Sequence, residues 1–408
     1  MNLTWQQLLD LQYIVRHPCS IPLIRPYWGT EEDALALSAS RHLDQDAVER
    51  FIAAFRAQLA IPSDWLVVPT SSGRSALQLL LKAASGLQPT RRKVVLPSYS
   101  CRGLYDPIVN CGLTPVFVDI RGDLLADSEA VVENLTSETL ACLFVNLGGK
   151  QCFSLQAVSK ARDHQVLLIG DECQSVGGQT CYAEGRWALD AYIYSFGMGK
   201  NLMATGGGTL CTNRNVEAVK AECANLTLEP IANALQRYDY YRRIYFHTHR
   251  WEEILELWRH PPLACLSQYS SHWINPLDAA LMVPQLSKLR EIIEKRRAHA
   301  MVMAKVLGKF SDLFRWPNEE NHIFTKFSLL ANSRHLLRLF IRHMHHHGIG
   351  LEKMYTPLHL LFPSAEQTLP ITEDLYTRVI NLPVRPNLRS EDVSVITEAL
   401  CNFGQRYG

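Results

Sequence analysis

Three side chains between Val166 and Leu210 have types and spacing suited to chemistry. An apolar run, Val166-Leu167-Leu168-Ile169, leads into Asp171-Glu172-Cys173-Gln174, and Ser195 precedes Lys200 in the glycine-flanked turn Tyr194-Ser195-Phe196-Gly197-Met198-Gly199-Lys200-Asn201. Thr205-Gly206-Gly207-Gly208 follows. A carboxylate at a strand end with a lysine in such a turn suits pyridoxal phosphate (PLP). That cofactor is an electron sink, working when a lysine amine holds its aldehyde and its pyridine nitrogen stays protonated. Asp171 is the expected partner of the nitrogen, because a buried anion stabilises the pyridinium by charge pairing. Lys200 is the expected amine. Taken singly, an Asp after a strand is usually a cap or turn residue and a lone Lys a solvated charge; the combination carries the reading.

Upstream, Ser71-Ser72-Gly73-Arg74-Ser75-Ala76 falls between an expected strand and an expected helix. The N–H groups of a helix N-terminus make a ready anion site, and the cofactor phosphate is the natural anion. Ser195, a turn before the lysine, is expected to offer its hydroxyl to the same phosphate. Arg74 adds a guanidinium fork, suited either to that phosphate or to a substrate carboxylate.

The elements that must position these groups read as an α/β fold. Expected strands are Trp65 to Val68, Lys93 to Leu96, Thr114 to Val118, Ala141 to Val145, Val166 to Ile169, Ala191 to Ser195 and Gly208 to Thr212, with helical segments such as Ser75 to Ala84 and Ser154 to His164 between them. Alternation of this kind implies crossovers and a mostly parallel seven-stranded sheet flanked by helices. Ligands of such sheets bind at the carboxyl ends of strands, where Thr70 to Arg74, Pro97 to Arg102, Asp171 to Gln174 and Ser195 to Lys200 all fall. A smaller α+β C-terminal domain is expected from a long helix at Leu277 to Leu307, a strand at Ile323 to Ala331, and helices at Ser333 to His347 and Ser390 to Asn402. The chain is thus divided into an N-terminal arm (1–20), a large cofactor-binding domain (21–265) and the smaller domain (266–408).

Composition narrows the partners. A chain of 408 residues, 47% hydrophobic and with a formal net charge of +1, buries a large core and has no global attraction for nucleic acid or an anionic membrane. No stretch approaches the roughly 20 apolar residues of a membrane span, and Met1 to Ser20 lacks the pattern of a signal peptide. Eleven cysteines without Cys-x-x-Cys spacing point to reduced thiols and a cytoplasmic protein. The aromatic stretch with Tyr238, Tyr240, Tyr241, Tyr245, Trp251 and Trp258 reads as packing or subunit interface. His343, His345, His346 and His347 read as the end of a helix stopping at Gly348, where positive charge complements the dipole, and no metal is expected.

In sequence the chain resembles the DegT/DnrJ group of sugar aminotransferases, within the fold type I PLP enzymes, from about Ile21 to Leu400. The resemblance runs through Pro26-Tyr27-Trp28-Gly29, Ser72-Gly73, Val95-Leu96-Pro97-Ser98-Tyr99-Ser100 and Thr114-Pro115-Val116-Phe117-Val118-Asp119-Ile120. It continues through Asp171 and Gln174, Ser195-Phe196 with Lys200-Asn201-Leu202, Gly206-Gly207-Gly208, Tyr355-Thr356-Pro357-Leu358-His359 and Asn381-Leu382-Pro383-Val384. It implies a homodimer with shared active sites and transfer of an amino group from glutamate or glutamine to a keto sugar. Lys200 would move the proton between substrate and cofactor, Asp171 would pair with the pyridinium, and Gln174 would lie near the phenolic oxygen. Ser72, Gly73, Arg74 and Ser195 would surround the phosphate.

The departures are specific. Arg74 stands where members carry Thr, Cys101 where an aromatic ring stacks on the pyridine, and Ser271 where the partner subunit offers an asparagine to the phosphate. Val176 replaces a histidine, and the loop Ser40-Arg41-His42-Leu43-Asp44 is short. The cofactor core is kept while the substrate side differs. Two other functions fit the scaffold: a PLP lyase, dehydratase or condensing enzyme, and a regulator that has lost catalysis. Family dehydratases replace the lysine with histidine, so Lys200 favours amino transfer.

Overall fold

Seven short strands rich in branched apolar residues form one sheet: β1 (Leu66–Thr70), β2 (Lys93–Pro97), β3 (Thr114–Val118), β4 (Thr139–Val145), β5 (Leu167–Asp171), β6 (Ala191–Ser195) and β7 (Gly208–Thr212). Their order is β1-β7-β6-β5-β4-β2-β3 in this computed structural model, which describes residues 21–41, 44, 46–178, 187–246, 272–317, 322–362 and 367–408. β7 runs antiparallel to β1 and β6, and the other pairs are parallel. Every residue of β4, β5 and β7 is buried, as expected of strands covered on both faces. In register, Val145 lies opposite Asp171, and Asp171 opposite Ile193, so neighbouring strands end together at one edge.

The helix after β1 spans Gly73–Leu87 and is capped by Ser72, whose side chain accepts the Ser75 N–H. Its apolar residues Leu77, Leu80, Leu81 and Ala84 are buried against one face of the sheet. The opposite face is covered by Phe51 and Phe55 of the Ala47–Leu59 helix, together with Leu277, Leu281 and Leu286.

The sequence predicts one helix from Leu277 to Leu307, and here the structure differs. Two helices, Pro276–Ser287 and Leu289–Leu307, meet at Lys288. Pro284 has no N–H to return to the preceding turn and its ring crowds the carbonyl four residues back, which weakens the helix near its end. The first of these helices was grouped by sequence with the smaller domain, yet it packs into the core beneath the large sheet.

A second sheet, order β10-β9-β8, is antiparallel and made of β8 (Phe314–Arg315), β9 (Phe327–Ala331) and β10 (Val379–Leu382). Phe314, Phe327, Phe340 and Phe403 form its core with helices Leu289–Leu307, Arg334–His346 and Ser390–Tyr407. The expected strand from Ile323 begins only at Phe327, because residues 322–326 instead reach the site described below. The histidine-rich helix ends before Gly348, whose φ is +72°, and His343 Nε2 lies 2.8 Å from the Ala399 carbonyl.

Polar contacts tie the C-terminal segment to the large sheet. Asp119, after β3, accepts from the Thr372 N–H at 2.7 Å, the Thr372 hydroxyl at 2.6 Å and the Ile371 N–H at 3.1 Å. Ser98, after β2, lies 2.6 Å from His359 Nδ1. No helix among the described residues is long and apolar enough to cross a membrane.

Candidate active site

A cavity of about 630 Å³ opens where the carboxyl ends of β4, β5 and β6 meet the start of the Gly73–Leu87 helix. Ser72, Gly73, Arg74, Cys101, Asp171, Gln174, Ser195 and Lys200 all line it. Ser271 lies outside the described residues, although its neighbour His272 is in the cavity wall.

Asp171 is the last residue of β5 and is buried, and its Oδ1 accepts the Cys173 N–H at 2.9 Å. Gln174 is oriented from both ends of its amide. Oε1 accepts the Gly148 N–H at 2.8 Å, and Nε2 donates to the Tyr355 hydroxyl at 2.7 Å. Lys200 follows Gly199, which adopts φ +81° and so lets the loop turn tightly. The Lys200 carbonyl is 3.5 Å from Arg296 Nη2, while Thr325 Oγ1 sits 2.6 Å from the Gln174 carbonyl and 2.8 Å from Asn201 Oδ1. Residues 322–326 therefore wedge beneath the lysine loop.

The serine turn is packed without spare room. Ser75 Oγ is 3.0 Å from both Ser71 Oγ and Ser72 Oγ. A methyl group on Gly73 would lie 3.0 Å from Cys173 Sγ and 3.1 Å from Ser195 Cβ, and one on Gly208 would lie 2.3 Å from the Ser72 carbonyl carbon. Only glycine lets β7 and the turn approach so closely. The turn offers N–H groups and three hydroxyls, and Asp171 offers a carboxylate elsewhere in the wall. That donor set fits a ligand with an anionic phosphate and a cationic ring nitrogen, so the residues present suit PLP.

At the ring-stacking position the structure has no aromatic side chain. Cys101 caps the Arg102–Asn110 helix, its sulfur accepting the Gly103 N–H at 3.3 Å. Tyr99 is buried behind it, edge-on to Tyr355 at 5.9 Å between ring centroids. Tyr355, which opens one of the segments that carry the family resemblance, lines the cavity. Burial, reinforced by the Asp171 and Glu352 carboxylates, pushes its phenol well above the ordinary value. Burial likewise pushes the Cys173 thiol up, with Asp171 adding to the effect.

One cluster escaped the sequence reading. Arg237 forks onto Glu229 at 2.5 and 2.7 Å and reaches Asp278 Oδ2 at 3.3 Å. Asp278 Oδ1 accepts from the Thr205 N–H at 2.8 Å, the Thr205 hydroxyl at 2.6 Å and the Gly206 N–H at 3.1 Å. It thus fixes the start of the glycine-rich loop. Burial raises the Asp278 carboxyl, and Arg237 opposes that rise. The available signal was a carboxylate inside the apolar run Leu277-Asp278-Ala279-Ala280-Leu281, since a charge there must be paired.

Comparison with known proteins decides the family. The model of the DegT/DnrJ/EryC1/StrS aminotransferase family matches residues 36–401. The chain belongs to this family. GDP-perosamine synthase of Escherichia coli O157:H7 is 23% identical over 339 residues, covering 82% of this chain and 84% of that protein. The dTDP-4-dehydro-2,3,6-trideoxy-D-glucose 4-aminotransferase of Saccharopolyspora spinosa is 27% identical over 393 residues, covering 93% and 95%. Among solved structures, Helicobacter pylori PseC, an aminotransferase of pseudoaminic acid biosynthesis, superposes with a TM-score of 0.75 at 20% identity, covering 95% of this chain and all of that one. That likeness establishes the fold type I architecture. As a DegT/DnrJ/EryC1/StrS member, the chain is a PLP-dependent aminotransferase.

Proposed function

We propose that this cavity transfers an amino group from an amino acid, glutamate or glutamine, to a keto sugar, with Lys200 and Asp171 as its catalytic residues. The observation that carries the reading is the convergence of Lys200, Asp171 and the Ser72–Gly73 turn on one cavity. When bound, PLP accepts the electron pair left at the substrate Cα. Lys200 would hold the cofactor through its amine and would move the proton at the substrate Cα, acting as base and then acid. Asp171 would pair with the pyridinium nitrogen. Gln174 would lie near the phenolic oxygen, and Ser72, Gly73 and Ser195 would hold the phosphate. Cys101 would take the place of the ring-stacking aromatic residue, and Ser271 that of the asparagine which a partner subunit offers to the phosphate.

The sugar acceptor is supported by the names of the relatives, several of which act on nucleotide-linked sugars. A cytoplasmic homodimer is part of the same reading. It is supported by the absence of a membrane-crossing helix and of disulfides among the described residues, and by the tyrosines of the Ile231–Phe246 helix.

The test is the visible absorbance spectrum of wild type and Lys200→Ala, before and after adding glutamate. A band present in wild type, lost in the variant and bleached by glutamate is expected. A wild type that shows no band when supplied with PLP overturns the reading.

A further inference from the structure

We propose that Thr325 is a positioning residue that sets Lys200 against the turn bearing Asp171, a reading that rests on PLP occupying this cavity. Thr325 is buried and borders a small void together with Gly199 and Arg296. Its hydroxyl oxygen is 2.6 Å from the Gln174 carbonyl and 2.8 Å from Asn201 Oδ1. A single atom thus meets both the turn that follows β5 and the loop that follows β6. With one proton facing two oxygens, the hydroxyl fixes both segments to the same point. The loop needs such a tie: residues 197–203 form neither helix nor strand, and the Lys200 N–H turns back to the Gly197 carbonyl at 3.3 Å.

The fold goes to some cost to deliver Thr325 there. The Ile323 N–H donates to the Gly149 carbonyl at 3.3 Å and the Lys326 N–H to the Gly148 carbonyl at 3.1 Å, which pins the segment to the loop after β4. Gly148 is also the residue whose N–H orients the Gln174 side chain. Between these anchors Phe324 has φ +50°, a left-handed conformation that bulky side chains rarely adopt, and its N–H is held by His322 Nδ1 at 2.9 Å. Strain of this kind persists only where the surroundings enforce it. Arg296, almost fully buried, donates from Nη1 to the Thr325 carbonyl at 3.1 Å and has Nη2 3.5 Å from the Lys200 carbonyl, while its Nε has no partner among the described residues. A guanidinium buried against two main-chain carbonyls costs desolvation that an apolar side chain would avoid; here it braces Thr325 and the lysine together. The chemistry explains the need. The cofactor aldehyde and ring nitrogen lie on one rigid aromatic ring, so their separation is fixed, and the protein must hold Lys200 and Asp171 at a matching separation.

The experiment compares the full chain with Thr325, Thr325→Val or Thr325→Ser, each in the presence of Lys200 and of Lys200→Ala. PLP affinity is measured by equilibrium dialysis and folding by circular dichroism. Valine keeps the shape of threonine and removes the hydroxyl. With Lys200 present, Thr325→Val should weaken PLP about tenfold and slow the appearance of the visible band when PLP is added to the apoprotein. In the Lys200→Ala protein no amine has to be placed, so Thr325→Val should change PLP affinity by no more than about threefold. Thr325→Ser restores the hydroxyl and should recover most of the affinity. A loss as large in the Lys200→Ala protein makes Thr325 a general support of the pocket and overturns the proposal, as does no loss in either. If Thr325→Val does not fold, Thr325→Cys, whose thiol is only a weak donor, carries the same comparison. A wild type that holds no PLP overturns the parent reading and this one with it, whereas a missing dependence on Lys200 in a protein that does hold PLP overturns this one alone.

Discussion

Gln174 Nε2 and the Tyr355 hydroxyl are joined at 2.7 Å, and this bond links the end of β5 to the segment that leads into the C-terminal helices. The other end of the amide is fixed by Gly148, so the carboxamide cannot rotate without breaking one of these two bonds. Gln174 is therefore placed by the fold before any ligand arrives, as a preorganised site requires.

Tyr355→Phe should leave Gln174 Nε2 without its acceptor and destabilise the protein by about 1–3 kcal/mol, the usual penalty for a stranded buried polar group. The phenol is raised well above its ordinary value by burial, so its proton stays on throughout the neutral range. A group raised in the folded state contributes stability that is lost only as pH climbs past its unfolded value of about 10. Denaturant titration should thus show the same wild-type-to-variant difference at about pH 6 and about pH 9. A difference that shrinks across that interval would refute the assignment.

Gly208→Ala tests the packing of the phosphate turn. The added methyl would lie 2.3 Å from the Ser72 carbonyl carbon and 2.4 Å from the Gly73 nitrogen, both backbone atoms that cannot rotate aside. Overpacking of this kind costs about 1–3 kcal/mol, and here it also shifts the serine turn. Both lower urea resistance and weaker PLP binding are expected. Gly86→Ala is the control: it sits near the end of the Gly73–Leu87 helix, where an added methyl meets open space, and should be neutral or stabilise by about 0.5 kcal/mol.

The β-strands of the large sheet were legible because each is a short branched apolar run between turn residues. β3, β6 and β7 begin and end where the sequence places them. The four cofactor-side segments were legible for a topological reason, since parallel strands deliver their following loops to one edge. What was hidden depends on pairing across long sequence separations. Thr325 meets Gln174 and Asn201 from more than 120 residues away, and its run, Ile323 to Lys326, looks like the start of a strand. The break at Lys288 was obscured by apolar residues that keep helical spacing on both sides.

Asp119 governs the docking of the C-terminal segment. Burial alone would raise its carboxyl, but hydrogen bonds from Thr372, Ile120 and Ile371 outweigh that and hold it below the usual carboxylate value. A depressed group contributes stability above its unfolded pKa, near 3.9, and loses it as pH falls through the folded value. Asp119→Asn should cost about 1 kcal/mol at neutral pH, a modest figure because the site is partly exposed. The gap from wild type should close below about pH 4. Thermal denaturation across that range measures it, and a gap that persists in acid would mean the charge is not what docks the segment.

Arg237 is the cation on which the glycine-loop cluster depends. It stands between two carboxylates, Glu229 and Asp278, of which Asp278 is almost fully buried. Asp278→Asn leaves Arg237 paired one-to-one with Glu229 and keeps an oxygen for Thr205 and Gly206, so a small change is expected. Arg237→Met instead strands two carboxylates, a loss of about 3–5 kcal/mol at neutral pH by the behaviour of broken buried pairs. Burial already raises the Asp278 carboxyl, and removing the cation raises it further. A raised carboxyl favours the fold below its unfolded pKa and loses that advantage as pH climbs through its folded value. The Arg237→Met protein should therefore recover stability relative to wild type between pH 7 and about pH 5 as Asp278 takes up a proton. If denaturation midpoints show the deficit constant over that interval, Arg237 acts through packing and not as the counter-charge of the loop.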